Sequence, residues 1–294
     1  MTGSSAKPAV SVIMSIHDSA PTVAAAVHSV IRQTLTDWEL ILVDDGSNDG
    51  GADRVKEFND PRINIIRREQ RKGLACRLNE AVRIARADII ARMDGDDICY
   101  PERLAKQMSF LRSNPTIDLV ASKAIVFRGE GRILGVMSPP TRHAEVMSRL
   151  YDGVVFPHPT WCGRAGWFQK YRYDERMPIT QDQELLVRAA EGSCFASIDE
   201  ILLGYRKERT SLSKSGRGRL LFSRAVWRHA RKSGAQARAA VQIAKQLAKF
   251  TAEVGAVGAG AEEWLSRRKF GVSLDPDDVR RWQDVWADSH RCGQ

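Results

Sequence analysis

Between positions 9 and about 205, short hydrophobic runs alternate with segments in which apolar residues recur at helical spacing. Each run is apolar and rich in β-branched residues, which is typical of strands that are buried on both faces. The strands predicted in this way are Ala9–Ile16, Glu39–Val43, about Ile63–Ile66 and Asp88–Met93. The alternation predicts an α/β fold with a mostly parallel, doubly wound sheet, in which ligands bind outside the carboxyl ends of the strands.

Segments with helical spacing of apolar residues separate the predicted strands. Ser19 is a good N-cap residue, and Pro21 suits the first turn of a helix, so we expect a helix to begin there. A second helix is predicted from Leu74, where apolar residues recur at helical spacing. The two helices therefore alternate with strands, as the doubly wound sheet requires.

The chain beyond Arg206 has helical patterns only. Segments around 219–233, 236–254 and 260–269 are predicted to be helical, with a break at Gly255–Gly260 and a last short helix that starts at Asp275. The second segment has an apolar face, made by Ile243, Leu247, Phe250 and Val254. We therefore expect a helical C-terminal extension.

Length and cysteine usage narrow the class of protein. The 294 residues suit one large α/β domain with an appendage, or two modest domains. The five cysteines stand singly, without a CxxC pair, which argues against a disulfide framework and a zinc site. The first residues lack the apolar stretch of a secretory signal, and no window is apolar enough to span a bilayer. These features predict a cytoplasmic protein.

The positive charge is concentrated in one region. Residues 206–249 contain thirteen Lys or Arg and one acid, a local charge of +12, which leaves −3 of the net +9 for the remainder. Arg224, Arg228 and Arg231 share one helical face, which could meet an anionic membrane on its inner side or a lipid diphosphate. The alternative is a solvated helix face packed on the α/β domain. Nucleic acid is not the predicted partner, because few aromatic residues interleave with the charges.

Three carboxylates lie within four residues in the turn Asp94-Gly95-Asp96-Asp97, directly after the fourth strand. Clustered carboxylates repel one another, and a hard divalent cation shared with phosphate oxygens and water relieves that repulsion. A solvated loop or a helix cap is the alternative. The position at the carboxyl end of a strand favours a ligand site.

A second acidic turn, Asp44-Asp45-Gly46-Ser47, ends the second strand. A carboxylate at this place can accept hydrogen bonds from a nucleobase N–H or a ribose hydroxyl. Helix capping by Ser47 or Asp49 is the alternative interpretation. Both acidic turns are therefore expected at the carboxyl ends of strands, where ligands bind.

The chain resembles glycosyltransferase family 2 in five motifs that occur in order. They are Val10-Ser-Val-Ile-Met14, Val43-Asp-Asp-Gly-Ser47, Gly73-Leu74 with Leu78-Asn79, Asp94-Gly-Asp-Asp97 with Pro101-Glu-Arg-Leu104, and Gln181-Asp-Gln-Glu-Leu185. The resemblance implies a GT-A fold and an inverting, metal-dependent transfer from a nucleotide-diphospho-sugar, with UDP favoured, to a saccharide or lipid-linked acceptor. Assembly of a bacterial surface polysaccharide or glycolipid is the implied setting.

The resemblance also implies roles for individual residues. Asp182 resembles the catalytic base, with Glu184 beside it, and Asp96 resembles the direct ligand of Mn²⁺ or Mg²⁺. His158 resembles the histidine near the acceptor and the sugar. The donor-binding residues implied by the same resemblance are Ser15, Asp45, Asp94 and Arg206.

Domain organisation follows from the same comparison of motifs. Residues 1–213 would form the catalytic domain, with the donor part at about 9–100 and the acceptor part at about 101–213, and residues 214–294 would form the basic helical region. Two alternatives are a sugar-1-phosphate nucleotidyltransferase and a non-catalytic nucleotide-sugar-binding protein of the same fold. The first needs a glycine-rich loop after the first strand, but Ser15-Ile-His-Asp-Ser19 has no glycine. Retention of both Asp96 and Asp182 argues against the second.

Overall fold

The computed structural model describes residues 6–208, 211–261, 270 and 274–291. The strands, in chain order, are β1 Val10–Ile16, β2 Trp38–Asp45, β3 Ile63–Arg68, β4 Ile89–Asp94, β5 Ile98–Cys99, β6 Leu119–Arg128, β7 Arg132–Met137, β8 Cys162–Arg164 and β9 Phe195–Arg206. The helices are α1 Val23–Ile31, α2 Gly51–Lys56, α3 Leu74–Ile84, α4 Arg103–Ser113, α5 His143–Arg149, α6 Ala165–Lys170, α7 Gln181–Ala189, α8 Leu212–Ser233, α9 Gln236–Gly258 and α10 Pro276–Ser289. Short 3-10 turns occupy His158–Thr160 and Ala190–Gly192.

The nine strands form one mixed sheet in the order β3-β2-β1-β4-β8-β6-β9-β5, with β7 beside β6. The first four strands of this order are mutually parallel, as predicted. Strand β8 is antiparallel to both β4 and β6, whereas β6 and β9 are parallel. The predicted α/β class is therefore confirmed, and the parallel half is followed by a mixed half.

Apolar residues cover both faces of the parallel half. Side chains of β1 alternate between two cores: Val12 and Met14 face one, which also receives α1, whereas Ile13 faces the other, which receives α3. All three side chains are at most 1% exposed. Burial on both faces explains why the strand sequence is almost continuously apolar.

Three predicted helix boundaries are wrong. Helix α8 begins at Leu212, about seven residues before its predicted start near residue 219. The first helix begins at Val23 and not at Ser19, whose hydroxyl bonds to the His17 carbonyl at 3.3 Å and caps no helix. Helix α9 continues through Gly255 to Gly258, because glycine lowers helix stability without preventing a helix. Of the helix predicted at 260–269, residues 262–269 lie outside the described part of the chain.

The C-terminal helices pack against the sheet domain. In α10, Trp282 is 1% exposed, and its ring lies 4.8 Å from that of Phe127. Asp275 caps this helix as predicted, by accepting a hydrogen bond from the Asp277 N–H. The predicted boundary at residue 213 falls in the first turn of α8. Among the described residues, no helix combines the length and apolarity that crossing a membrane requires.

Candidate active site

The carboxyl ends of the parallel strands bring three predicted donor-binding residues to one edge of the sheet. Ser15 of β1 pairs in register with Asp94 of β4 on one side and with Val43 of β2 on the other. Asp45 ends β2. This neighbourhood follows from the parallel pairing, since equivalent ends of parallel strands lie together.

The acidic turn after β4 forms a compact carboxylate cluster. One oxygen from each of Asp94, Asp96 and Asp97 lies within 4.8 Å of the others. Gly95 permits the turn to pass close to β1, because a Cβ at that position would lie 2.7 Å from Cγ2 of Ile16. Any larger residue would displace the turn from the strand end.

Arg92 places a positive charge in direct contact with this cluster. The guanidinium lies on β4, is almost fully buried, and contacts both carboxylate oxygens of Asp94, with Nη1 to Oδ2 at 2.7 Å. Its Nε has no hydrogen-bond partner among the described residues. A buried cation therefore offsets part of the negative charge of the acidic turn.

The remaining negative charge perturbs the other two carboxyl groups. Burial and the charge of Asp94 raise the pKa of Asp96 to about 6. Burial and the charge of Asp96 raise the pKa of Asp97 well above its ordinary value. Asp97 Oδ2 is buried and has no hydrogen-bond partner among the described residues. The cluster is therefore short of positive charge.

These features fit a hard divalent cation. An all-oxygen set of carboxylates suits Mg²⁺ or Mn²⁺, and an unpartnered buried oxygen is a group that such an ion or its water would satisfy. Asp96 remains partly exposed and would be the direct ligand, with Asp94 and Asp97 beside it. Repulsion among the carboxylates would fall when the ion binds.

Arg206 reaches the same turn from the end of β9. Its backbone N–H donates to Asp97 Oδ1 at 2.8 Å, and its Nε donates to the Asp96 carbonyl at 3.0 Å. The guanidinium also stacks over the ring of Phe127 at 4.7 Å. The structure thus brings Arg206 to the acidic turn, although 110 residues separate it from Asp96 along the chain.

Asp182 and His158 belong to the same electrostatic neighbourhood. Burial raises the pKa of the Asp182 carboxyl, Arg92 lowers it, and Asp94 raises it. His158 is buried, and its Nε2 lies 2.8 Å from the hydroxyl of Tyr173. Burial and the charge of Arg92 lower the pKa of His158 well below its usual value, so its imidazole is neutral at pH 7.

Glu184 forms an ion pair with Arg188. Its carboxylate accepts hydrogen bonds from Nε and Nη2 of Arg188, at 2.8 and 3.0 Å, on the same helix. Residues two apart on a helix point in different directions, so Glu184 does not share the face of Asp182. The structure thus places Glu184 in an ion pair with Arg188, on a different face of α7 from Asp182.

The Asp45 carboxylate accepts three hydrogen bonds from within the protein. One carboxylate oxygen accepts hydrogen bonds from the Lys72 N–H at 2.7 Å and from Nε of Arg77 at 2.6 Å, and the other accepts the Gly73 N–H at 2.7 Å. The side chains of Asp45 and Arg77 are each 4% exposed. Asp45 therefore holds the loop before α3 and the first turns of that helix.

The neighbouring Asp44 makes a local turn. Its Oδ1 accepts hydrogen bonds from both the N–H and the hydroxyl of Ser47, at 3.0 and 2.5 Å. Asp49 accepts the N–H of Gly51 at 3.0 Å, next to the start of α2. The alternative of helix capping by Ser47 or Asp49 is therefore wrong, because Gly50 is the N-cap of α2 and no side chain caps that helix.

Two residues of this region, Arg92 and Tyr173, were not predicted from the sequence, whereas Arg77 was expected to add positive potential near the phosphates or to belong to a solvated helix end. A signal existed for Arg92, since a charged residue inside the apolar run Ile-Ile-Ala-Arg-Met implies a buried partner. Arg77 lies within a helix whose other residues have an ordinary amphipathic pattern. Nothing local distinguishes Tyr173 from a core aromatic residue such as Trp161 or Trp167.

Comparison with known proteins gives consistent matches. A family model described as Glycosyl transferase family 2 matches residues 11–172. An uncharacterized glycosyltransferase of Methanocaldococcus jannaschii is 32% identical over 212 residues, which are 70% of this chain and 73% of the relative. The Escherichia coli protein named UDP-Glc:alpha-D-GlcNAc-diphosphoundecaprenol beta-1,3-glucosyltransferase WfgD is 38% identical over 105 residues, which are 36% of this chain and 42% of the relative.

A solved structure shares the fold. The mannosyltransferase PcManGT from Pyrobaculum calidifontis, solved in complex with GDP-Man and Mn²⁺, superposes with a TM-score of 0.59. The match covers 96% of this chain and 86% of the other at 16% sequence identity. At this identity the likeness concerns the fold alone, and it agrees with the predicted GT-A architecture.

Proposed function

The chain belongs to glycosyltransferase family 2, and from this premise we propose that it transfers a sugar, with inversion, from a UDP-linked donor to an acceptor hydroxyl with the help of Mn²⁺ or Mg²⁺. The observation that carries the proposal is the carboxylate cluster at the strand ends, where oxygens of Asp94, Asp96 and Asp97 lie within 4.8 Å of one another. As a glycosyltransferase, the chain is neither a sugar-1-phosphate nucleotidyltransferase nor a non-catalytic binding protein.

We propose that the nucleotide-sugar donor binds at the carboxyl ends of β1, β2 and β4. Asp45 has three of about four acceptor positions filled by internal donors, which leaves one for a nucleobase N–H. Ser15 lines the same edge, and Asp94 faces the ribose. Arg206 lies at the acidic turn, where its positive charge favours a diphosphate.

A bound Mn²⁺ or Mg²⁺ would supply positive charge that stabilises the departing diphosphate. Asp96 holds it, in this proposal, with Asp94 and Asp97 adjacent. Arg92 keeps Asp94 fixed through its two contacts, so that carboxylate stays at the cluster before the donor arrives. Ordering the cluster in advance reduces the reorganisation needed during the transfer.

Asp182 takes the proton from the acceptor hydroxyl in this proposal. The hydroxyl oxygen attacks C1 of the sugar, the bond from C1 to the diphosphate oxygen breaks, and the proton passes to the Asp182 carboxylate. A raised pKa makes that carboxylate a better proton acceptor than an ordinary aspartate. Neutral His158, held by Tyr173, lies beside the acceptor and the sugar, whereas Glu184 supports α7 through Arg188.

The acceptor is proposed to be a saccharide, either free or linked to a lipid diphosphate. The name of WfgD describes an acceptor of the second kind, which supports this choice. Bacterial surface polysaccharide or glycolipid assembly is the proposed setting, on the cytoplasmic side of the membrane. We also propose residues 1–213 as the catalytic domain, with its donor part at about 9–100 and its acceptor part at about 101–213, and residues 214–294 as its basic helical extension.

A thermal-shift panel of nucleotide sugars, with and without Mn²⁺, tests this function. A donor at 100 times its Kd should raise the free energy of unfolding by about 2.7 kcal/mol. We expect a UDP-sugar to do so only when the metal is present, and to be hydrolysed slowly to UDP. The proposal fails if no nucleotide sugar stabilises the protein in the presence of Mn²⁺ or Mg²⁺.

A further inference from the structure

The two longest C-terminal helices form a hairpin with one buried and one open side. Helices α8 and α9 are joined at Gly234, and Ser215 near the start of α8 bonds to Glu253 near the end of α9, so the helices are antiparallel. Phe222 and Val226 bury the inner side of α8 in the core that contains α7. The opposite side of α8 faces solvent.

A groove of about 750 Å³ runs along that open side. Its wall combines four basic side chains with two apolar ones: Arg224, Arg228, Arg231, Lys232, Trp227 and Ile243. We call this the α8–α9 groove. Trp227 is 42% exposed, and Leu220 and Leu247 of the same two helices are 53% and 65% exposed. Large apolar side chains thus stand in solvent among concentrated positive charge.

The basic residues of the hairpin fall into two groups. Arg219 pairs with Glu253 at 3.0 Å, and Arg238 donates to the carbonyls of Met147 and Ser148 at 3.0 and 2.7 Å. These cations stabilise the fold. The four basic residues of the α8–α9 groove form no ion pair with any described residue. Like charges on adjacent turns repel, so an external anion would relieve their repulsion.

We propose that the α8–α9 groove docks the enzyme on an anionic membrane surface. Basic side chains near such a surface attract lipid phosphates, while a tryptophan and aliphatic side chains enter the interface between headgroups and acyl chains. The groove offers both kinds of side chain on one face. A second copy of the chain is a poorer match, because two such grooves would bring eight positive charges together.

The docking surface lies close to the catalytic domain's proposed base. Gly218 of α8 packs against Thr180 and Ile179, with a Cβ at Gly218 lying 3.3 Å from Cγ2 of Thr180. Thr180 directly precedes α7, the helix that carries Asp182. Trp227 follows Gly218 by nine residues, or about 14 Å along α8. A lipid-linked acceptor at the docked membrane would therefore lie near the opening of the active site.

Co-sedimentation of the full chain with vesicles tests the proposal. We expect binding to vesicles of equal parts phosphatidylglycerol and phosphatidylcholine, no binding to pure phosphatidylcholine, and release as salt shortens the Debye length from about 8 Å toward 3 Å. Changing Arg224, Arg228, Arg231 and Lys232 together to Gln should lower the partition coefficient by about 10²–10³-fold. Trp227→Ser alone should lower it by about tenfold.

The matched control removes the same charge from other exposed sites. The residues Arg54, Lys56, Arg83 and Arg112 changed together to Gln should leave vesicle binding near that of the wild type. Wild-type protein that stays in the supernatant with anionic vesicles at low salt would overturn the proposal. Equal losses in the groove variant and the control would also overturn it, since net charge alone would then explain binding.

Two further measurements, donor hydrolysis and light scattering, distinguish membrane docking from other roles of the groove. Donor hydrolysis by the groove variant should match that of the wild type, because the changed residues contact nothing in the proposed active site. If wild-type protein binds vesicles but hydrolyses no donor, the proposed function fails and the docking surface stands. If the variant instead changes the oligomeric state measured by light scattering, without vesicle binding in the wild type, the groove is a subunit interface.

Discussion

Replacing Arg77 by methionine should destabilise the protein strongly, because it leaves the buried carboxylate of Asp45 without its cation. The two side chains are each only 4% exposed, with Nε and Oδ1 2.6 Å apart. A solvent-exposed ion pair typically contributes roughly 0.2–1 kcal/mol to stability, and this range does not apply to a buried pair. Removing one partner of a buried pair costs about 3–5 kcal/mol. Asp45 keeps the amide hydrogen bonds of Lys72 and Gly73, so we expect the lower end, about 3 kcal/mol.

Urea denaturation followed by circular dichroism measures this loss. With a slope of about 3 kcal/mol per molar for a chain of this size, the midpoint should fall by about 1 M. Arg83→Met is the matched control, since Arg83 lies on the same helix but is exposed, and its effect should stay within about 0.5 kcal/mol. A cost below about 1 kcal/mol for Arg77→Met would refute the reasoning, since the Asp45 carboxylate would then not depend on the Arg77 cation.

The other variants concern the proposed base and the docking of α10. Asp182→Asn should reduce sugar transfer by about 10²–10⁴-fold while UDP affinity is retained, and near-normal turnover would place the base elsewhere. Burial raises the pKa of Asp182, and a base acts only when deprotonated, so kcat/KM should rise with pH through a pKa above 3.8. A kcat/KM that falls as pH rises through the acid range would contradict this assignment. Gly204→Ala should cost about 1–3 kcal/mol in thermal unfolding, because a Cβ would lie 2.2 Å from Cζ3 of Trp282, whereas Gly166→Ala, with nothing within 4 Å, should not destabilise.

The parallel half of the fold was accessible from sequence because its signals are local. Each of the first four strands is a short apolar run that ends at a turn, and burial on both faces produces such runs. The mixed half was not accessible. Strand β8 has only three residues, and its place between β4 and β6 depends on pairing with residues far away in the chain. Such pairing leaves no periodic pattern in a short segment.

The same distinction between local and long-range signals applies to the residues of the candidate site. Asp94, Asp96 and Ser15 were predictable, since strand ends and sequence proximity bring them together. The family resemblance implied a donor-binding role for Arg206, whereas its contact with the acidic turn was not predicted and is seen only in the structure. The ion pairing of Glu184 was not predicted, because it depends on the side-chain directions around α7.

Two charged residues show what a sequence pattern leaves out. Arg77 was interpreted as a source of positive potential or as part of a solvated helix end, yet its guanidinium is buried against Asp45. Arg92 was not singled out at all, although its contacts fix Asp94. A buried ion pair between distant residues is set by tertiary packing, whereas hydrophobic periodicity reports only which face of an element is apolar.

Isothermal titration calorimetry of UDP with and without Mn²⁺ tests the central claim most directly. The wild-type protein should bind UDP tightly only when Mn²⁺ is present. Asp96→Asn keeps the size of the side chain but removes its charge, so the metal-dependent part of the affinity should disappear while circular dichroism shows an intact fold. Asp37→Asn, an exposed aspartate away from the acidic turn, should bind as the wild type does. Unchanged Mn²⁺-dependent affinity in Asp96→Asn would contradict the proposed metal site.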